Sequence, residues 1–139
     1  MILYLIIGIP GSGKTTKAKE IISKYESQNK QIKHYEADMF FEHDGQYKFN
    51  PALLGKAHAW CQKKTEEAMM NNIDVIVSNT SLTPRERYFY LALAKLYDYE
   101  VKVITMINEF QNVHGVPADK LELMKQRYVP YSEDELKRI

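Results

Sequence analysis

Gly8-Ile9-Pro10-Gly11-Ser12-Gly13-Lys14-Thr15 fits G-x-x-x-x-G-K-[ST], a loop that joins a strand to a helix and cradles phosphates. Its flanks suit that reading. Before it, Ile2-Leu3-Tyr4-Leu5-Ile6-Ile7 is a nearly unbroken apolar run, the pattern of a strand buried on both faces of a parallel sheet. After it, Ala18, Ile21, Ile22 and Tyr25 recur at helical spacing, with the lysines on the other face.

The residue types follow from what a phosphate requires. Gly8, Gly11 and Gly13 let the backbone turn tightly and bring its N–H groups close to phosphate oxygens, and the helix start adds its positive dipole end. Pro10 needs no N–H and stiffens the loop, while Ser12 and Thr16 belong to the same binding stretch. Lys14 is expected to reach the β- and γ-phosphates of ATP, and Thr15 to offer its hydroxyl to the accompanying Mg²⁺.

Composition narrows the class. A chain of 139 residues predicts one domain with a two-sided core. Nineteen basic against eighteen acidic side chains leave a formal charge of +1, too little for a duplex-wrapping face but compatible with gripping a strand end. The lone cysteine, Cys61, has no partner for an internal disulfide, and the apolar N-terminus lacks a basic leader and runs directly into the phosphate loop. The expectation is a cytoplasmic protein with no membrane span. Oligomeric state is left open.

Along the chain, Gln31–Tyr35 reads as a short second strand, more polar than the first and so nearer a sheet edge, with Glu36-Ala37-Asp38 at its C-terminal end. Ligands of open parallel sheets bind outside those strand ends, so Asp38 is expected in the same crevice as the phosphate loop. Residues 39–50 read as an irregular ordered loop over the site, with a turn at Asp44-Gly45 and aromatic residues needing cover. Pro51 opens a long helix to about Asn71. On it His58 is either a packing residue or a substrate contact, and Trp60 and Cys61 read as core.

Ile73–Val77 is another buried-type strand, followed by Ser78-Asn79-Thr80-Ser81, a second polar wall of the crevice. Thr83-Pro84-Arg85-Glu86 is a capping box with proline at the first helical position. Arg85 and Arg87 sit unfavourably for the helix dipole, so they are either solvated or facing an anion. Glu100–Met106 is a fourth strand, a helix follows Pro117, and Ser132-Glu133-Asp134-Glu135 reads as a second capping box. The alternation predicts an α/β fold: a parallel sheet of about four strands with helices on both faces and Ile2–Ile7 central.

Several blocks together resemble the polynucleotide 5′-hydroxyl kinases among the P-loop kinases, including the kinase half of the phage RNA-repair enzyme. The blocks are Gly8–Thr15, the segment around Asp38, Tyr47-Lys48-Phe49-Asn50-Pro51 with Ala57-His58-Ala59-Trp60, Val75–Ser81 with Thr83-Pro84, and His114-Gly115-Val116-Pro117. The resemblance implies transfer of the ATP γ-phosphoryl group to the 5′-hydroxyl of an RNA or DNA end, with Asp38 as general base. It departs from the phage enzyme at Asn79, where that enzyme has a carboxylate; Asn79 can orient an acceptor but cannot be a base. Thr80, His58, Arg85 and Arg87 are the further candidates for contacting the acceptor.

The lid arginine usual in the family is also missing, since Gln111-Asn112 stands there. That leaves the positive charge for the transition state unassigned among Arg85, Arg87 and Arg127. Asn112 and His114, beside Gly115, suit a loop that closes on ATP, with capping of the next helix as the alternative for His114. Two other readings stand beside the polynucleotide kinase. One is a kinase of a small hydroxyl compound (a nucleoside, sugar or nucleotide-sugar), as in the related zeta-toxin type kinases, and the other a non-catalytic nucleotide-binding module.

Overall fold

The computed structural model describes residues 1–106 and 116–139. Strand β1 (Ile2–Ile7) lies between β5 (Asp74–Val77) and β6 (Glu100–Thr105) and is parallel to both, pairing Leu5 with Val77 and with Val103. Strand β2 (Ile32–Tyr35) adds on the far side of β5, giving the parallel order β2-β5-β1-β6. The most continuously apolar run is thus central and the more polar β2 is an edge, as the sequence predicts.

Alternate residues of β1 serve the two faces. Ile6, with Ile76 of β5, packs on Ala18 and Ile21 of helix α1 (Lys14–Ser27). Leu3, Leu5 and Ile7, with Val75 and Val77, join Ala57 and Cys61 of helix α2 (Leu54–Met70) and Leu91 and Ala94 of helix α3 (Pro84–Leu96) in the larger core. Cys61 is buried, and burial pushes its thiol above the usual value. Helices therefore cover both faces, in the architecture of a P-loop NTPase. Among the described residues no helix is long and apolar enough to cross a membrane.

Some local expectations change. The segment after β2 is more regular than a loop: a 3-10 turn over Ala37–Phe41 leads into a small antiparallel hairpin of β3 (Glu42–His43) and β4 (Gln46–Tyr47). Its tip, Asp44-Gly45, has both residues at positive φ (50° and 78°), the signature of a tight two-residue hairpin turn. Pro51 starts a 3-10 turn to Leu53, capped by the Asn50 side chain on Ala52 N–H at 3.0 Å, before α2 proper begins.

Half of the capping box at Thr83 forms: Thr83 Oγ1 accepts from Glu86 N–H at 3.3 Å, while the Glu86 carboxylate accepts from Leu82 N–H at 2.7 Å rather than from Thr83 N–H. The one expected at Ser132 does not form. Before helix α5 (Glu133–Lys137) Ser132 makes no side-chain cap: the Glu135 N–H donates to the Ser132 carbonyl at 3.0 Å, and the Glu135 carboxylate binds Arg87.

Candidate active site

The phosphate loop joins β1 to α1 with Gly11 and Gly13 at φ of 80° and 99°, a region where a side chain is strained. Gly8 has a different reason. A Cβ there would lie 2.3 Å from Ser12 Oγ and 3.0 Å from the Met106 carbonyl oxygen. Gly8 N–H also donates to the Thr80 carbonyl at 3.1 Å, fastening the loop to the wall that follows β5.

Three features of the loop suit a phosphate chain. Helix α1 has no side-chain N-cap and no acidic residue in its first turn, so its terminal N–H groups and dipole are left to a ligand. Ser12 is fully buried, and among the described residues its hydroxyl has no hydrogen-bond partner. Thr15 and Thr16 are exposed on the first turn, where a hydroxyl can take part in holding Mg²⁺.

Lys14 folds back over its own loop, donating from Nζ to the carbonyls of Gly8 at 2.9 Å and Ile9 at 3.0 Å. Burial pulls its ammonium down to about 8, and the charges of Glu36 and Asp38 act in the opposite sense. Both carboxylates thus belong to the electrostatic surroundings of Lys14.

Asp38 lies in the first turn of the 3-10 segment, at the C-terminal end of β2. Two contacts fix it. Asn79 Oδ1 accepts from the backbone N–H of Ala37 at 2.7 Å, and Tyr47 donates its hydroxyl to Asp38 Oδ1 at 3.3 Å. Burial, then the Asp38 charge and hydrogen bond, push the Tyr47 phenol up to about 12, so it stays a donor at physiological pH. Asn79 Nδ2 in turn donates to Tyr90 Oη at 3.3 Å, with Cys61 Sγ at 3.6 Å. The amide therefore clamps the Asp38 turn to α2 and α3.

Beside this clamp runs a chain that residue spacing did not reveal. His34 Nε2 is 2.6 Å from Ser78 Oγ, which donates to Glu36 Oε2 at 2.7 Å. Burial pulls the His34 imidazole down to about 4, so it is neutral and links β2 to the end of β5. Glu36 thereby joins the site, two residues before Asp38.

Other candidates fall elsewhere. Arg87 is a correction: neither solvated nor facing the crevice, it is fully buried and forms a two-pronged ion pair with Glu135. Its Nε and Nη2 donate to the two carboxylate oxygens at 2.8 and 2.9 Å, and Nη1 and Nη2 also serve the carbonyls of Ser81 at 2.7 Å and Val129 at 2.9 Å. It ties the C-terminal segment to the start of α3. Arg127, at the end of helix α4 (Ala118–Arg127), pairs with Glu86.

Arg85 is exposed on the first turn of α3, and Thr80 is half-buried beside the loop. His58 is exposed on α2 rather than packed, while Trp60 is half-buried against Tyr35 and Phe40. Asn112 and His114 lie outside the described residues.

A cleft of about 200 Å³ adjoins the loop between Gly8, Ile9, Leu82, Met106, Lys125 and Tyr128. It falls short of the roughly 300 Å³ at which ligand pockets begin, so it suits part of a ligand rather than a whole nucleotide.

Solved structures share this fold. Chaetomium thermophilum Kti12 in complex with ADP-AlF3 superposes with a TM-score of 0.63 at 12% identity, over 99% of this chain and 94% of that one. The Pnkp1/Rnl/Hen1 complex superposes with a TM-score of 0.58 at 18% identity, over 95% of this chain and 40% of that one. At these identities the likeness establishes the fold. In sequence, human NEDD4-binding protein 2 is 31% identical over 92% of this chain, which spans only 8% of that protein's length. Residues 3–108, well over half of the chain, match the AAA domain family, so the chain belongs to that family, and its fold is of the P-loop NTPase type.

Proposed function

We propose that this chain is an ATP-dependent phosphotransferase that moves the γ-phosphoryl group to the 5′-hydroxyl of a nucleic acid end. The observation that carries the reading is a carboxylate, Asp38, held at the C-terminal end of β2 by Asn79 and Tyr47 within the electrostatic surroundings of Lys14 on the phosphate loop. A pure nucleotide-binding module has no need of a positioned carboxylate there.

In this reading Lys14 leaves the Gly8 and Ile9 carbonyls when ATP binds and meets the β- and γ-phosphate oxygens, which return its ammonium toward full protonation. The loop N–H groups and the Ser12 hydroxyl hold the phosphate chain. Thr15 would offer its hydroxyl to Mg²⁺, which would supply positive charge against the negative charge of the phosphates. A sugar hydroxyl is a poor nucleophile at neutral pH, so Asp38 accepts its proton as the new O–P bond forms and the bond to ADP breaks. An ionised carboxylate accepts several hydrogen bonds, so Asp38 can keep that of Tyr47 while it accepts the one from the acceptor hydroxyl. Arg85, exposed on α3, is proposed to meet the acceptor's phosphates.

The test is incubation with γ-labelled ATP and a panel of 5′-hydroxyl oligonucleotides, nucleosides and sugars. Label on oligonucleotide 5′ ends supports the reading. Label confined to small hydroxyl compounds, which the near-balanced charge of the chain would suit, replaces it with the small-acceptor kinase. No transfer to any acceptor, with ATP still bound, points to a binding module.

A further inference from the structure

Beside Asp38 stand two aromatic rings that keep much of their surface in solvent. Tyr47 and Phe49 are 46% and 51% exposed, and their rings lie within 11° of parallel with centroids 6.4 Å apart. Underneath, the buried ring of Phe41 meets both edge-on, at 6.3 Å from Tyr47 and 5.1 Å from Phe49. The hairpin carrying them is held by Lys48 N–H donating to the Phe41 carbonyl at 2.8 Å. Isolated exposed apolar residues are ordinary on any protein. A near-parallel pair, propped by a buried ring and bonded to the candidate base, is a built surface.

We propose that Tyr47 and Phe49 form a stacking platform for the base of the acceptor's first nucleotide, so that this hairpin selects acceptors with an aromatic base next to the reacting hydroxyl. This rests on the nucleic acid reading above. The Tyr47 hydroxyl reaches Asp38 Oδ1 at 3.3 Å while its ring remains half in solvent, so the ring stands one C–O bond and one hydrogen bond from the carboxylate. A nucleotide spans a similar gap, from its base through the sugar to the 5′-hydroxyl. A base on the rings therefore brings that hydroxyl toward Asp38. Flat π-faces accept any base, so the platform favours nucleic acid ends over bare sugars without reading sequence. Stacking of this kind contributes about 1–3 kcal/mol per base, or roughly five- to 150-fold in affinity.

The test compares 5′-hydroxyl oligonucleotides with an intact or an abasic first residue, on the wild type and on Phe49→Leu, which keeps apolar cover over Phe41 but loses the π-face. For the wild type, the abasic end is expected to raise KM about tenfold. Phe49→Leu is expected to raise KM for the intact end by a similar factor and leave KM for the abasic end unmoved, with the loss in KM rather than kcat. Phe49→Trp, which restores a ring, is expected to recover the wild-type KM.

Equal KM for intact and abasic ends on the wild type overturns the platform, whether or not Phe49→Leu folds. A Phe49→Leu loss of the same size on both ends overturns it as well, and either result leaves the nucleic acid reading standing. Transfer by the wild type to small hydroxyl compounds but to no oligonucleotide overturns the nucleic acid reading and the platform together.

Discussion

Asn79 Oδ1 holds the backbone N–H of Ala37 at 2.7 Å, and so fixes the turn that carries the next residue, Asp38. The amide thus acts on the candidate base through the backbone. Asn79→Ala removes this clamp and leaves the Ala37 N–H without its acceptor. Turnover is expected to fall about tenfold or more with little change in ATP affinity. Asn79→Asp, which keeps an acceptor oxygen, is expected to recover most of it. Steady-state kinetics with nucleotide binding measured alongside checks this; an Asn79→Ala variant with normal turnover removes Asn79 from the positioning of Asp38.

Lys14→Ala deletes the one ammonium that folds across the phosphate loop. Most phosphoryl transfer is expected to disappear while the far-ultraviolet circular dichroism spectrum and melting temperature stay close to wild type, since the side chain lies outside both hydrophobic clusters. Undiminished turnover would place Lys14 outside the site.

Arg87 is expected to matter for stability. Arg87→Met leaves Glu135 without its partner and the Ser81 and Val129 carbonyls without their donor, and breaking a buried pair of this kind costs roughly 3–5 kcal/mol. Changing both residues together, Arg87→Met with Glu135→Leu, should recover part of the loss. Urea unfolding measures both. A single variant as stable as wild type contradicts the buried-pair account.

His34 predicts a dependence on pH. Its imidazole sits at about 4 in the folded chain because of burial, against about 6.5 when unfolded. The unfolded chain therefore binds the proton more tightly, so the penalty is absent above about pH 6.5 and accumulates as pH falls toward 4. Between pH 7 and pH 4 the wild type should lose up to about 3 kcal/mol from this group, beyond what its carboxylates contribute. His34→Gln should flatten that slope. Parallel slopes for the two proteins in urea titrations at pH 7, 5 and 4 would show that His34 is not buried neutral.

The sheet was readable from residues because burial on both faces leaves a local mark: the apolar run Ile2–Ile7 announces a central strand, and Lys33 and His34 mark β2 as an edge. The glycines of the loop carry their own geometric reason. Contacts between distant segments leave no such mark. Arg87 and Glu135 are 48 positions apart, so the arginine looked free and the glutamate looked like part of a capping box. Asn79 and Ala37 are 42 apart, and the bond uses a backbone N–H that any residue would supply. The His34–Ser78–Glu36 chain was hidden for the same reason, since it joins two strand ends that only pairing of β2 with β5 brings together.

The most direct measurement is the single-turnover rate of label transfer from γ-labelled ATP to a 5′-hydroxyl oligonucleotide by wild type and Asp38→Asn, with ATP affinity determined on the same preparations. The account predicts transfer slowed by about a hundredfold or more, the scale of a lost general base, with ATP affinity nearly unchanged. Transfer at the wild-type rate, or a matching collapse of ATP affinity, would contradict the assignment of Asp38 as the group that takes the acceptor's proton.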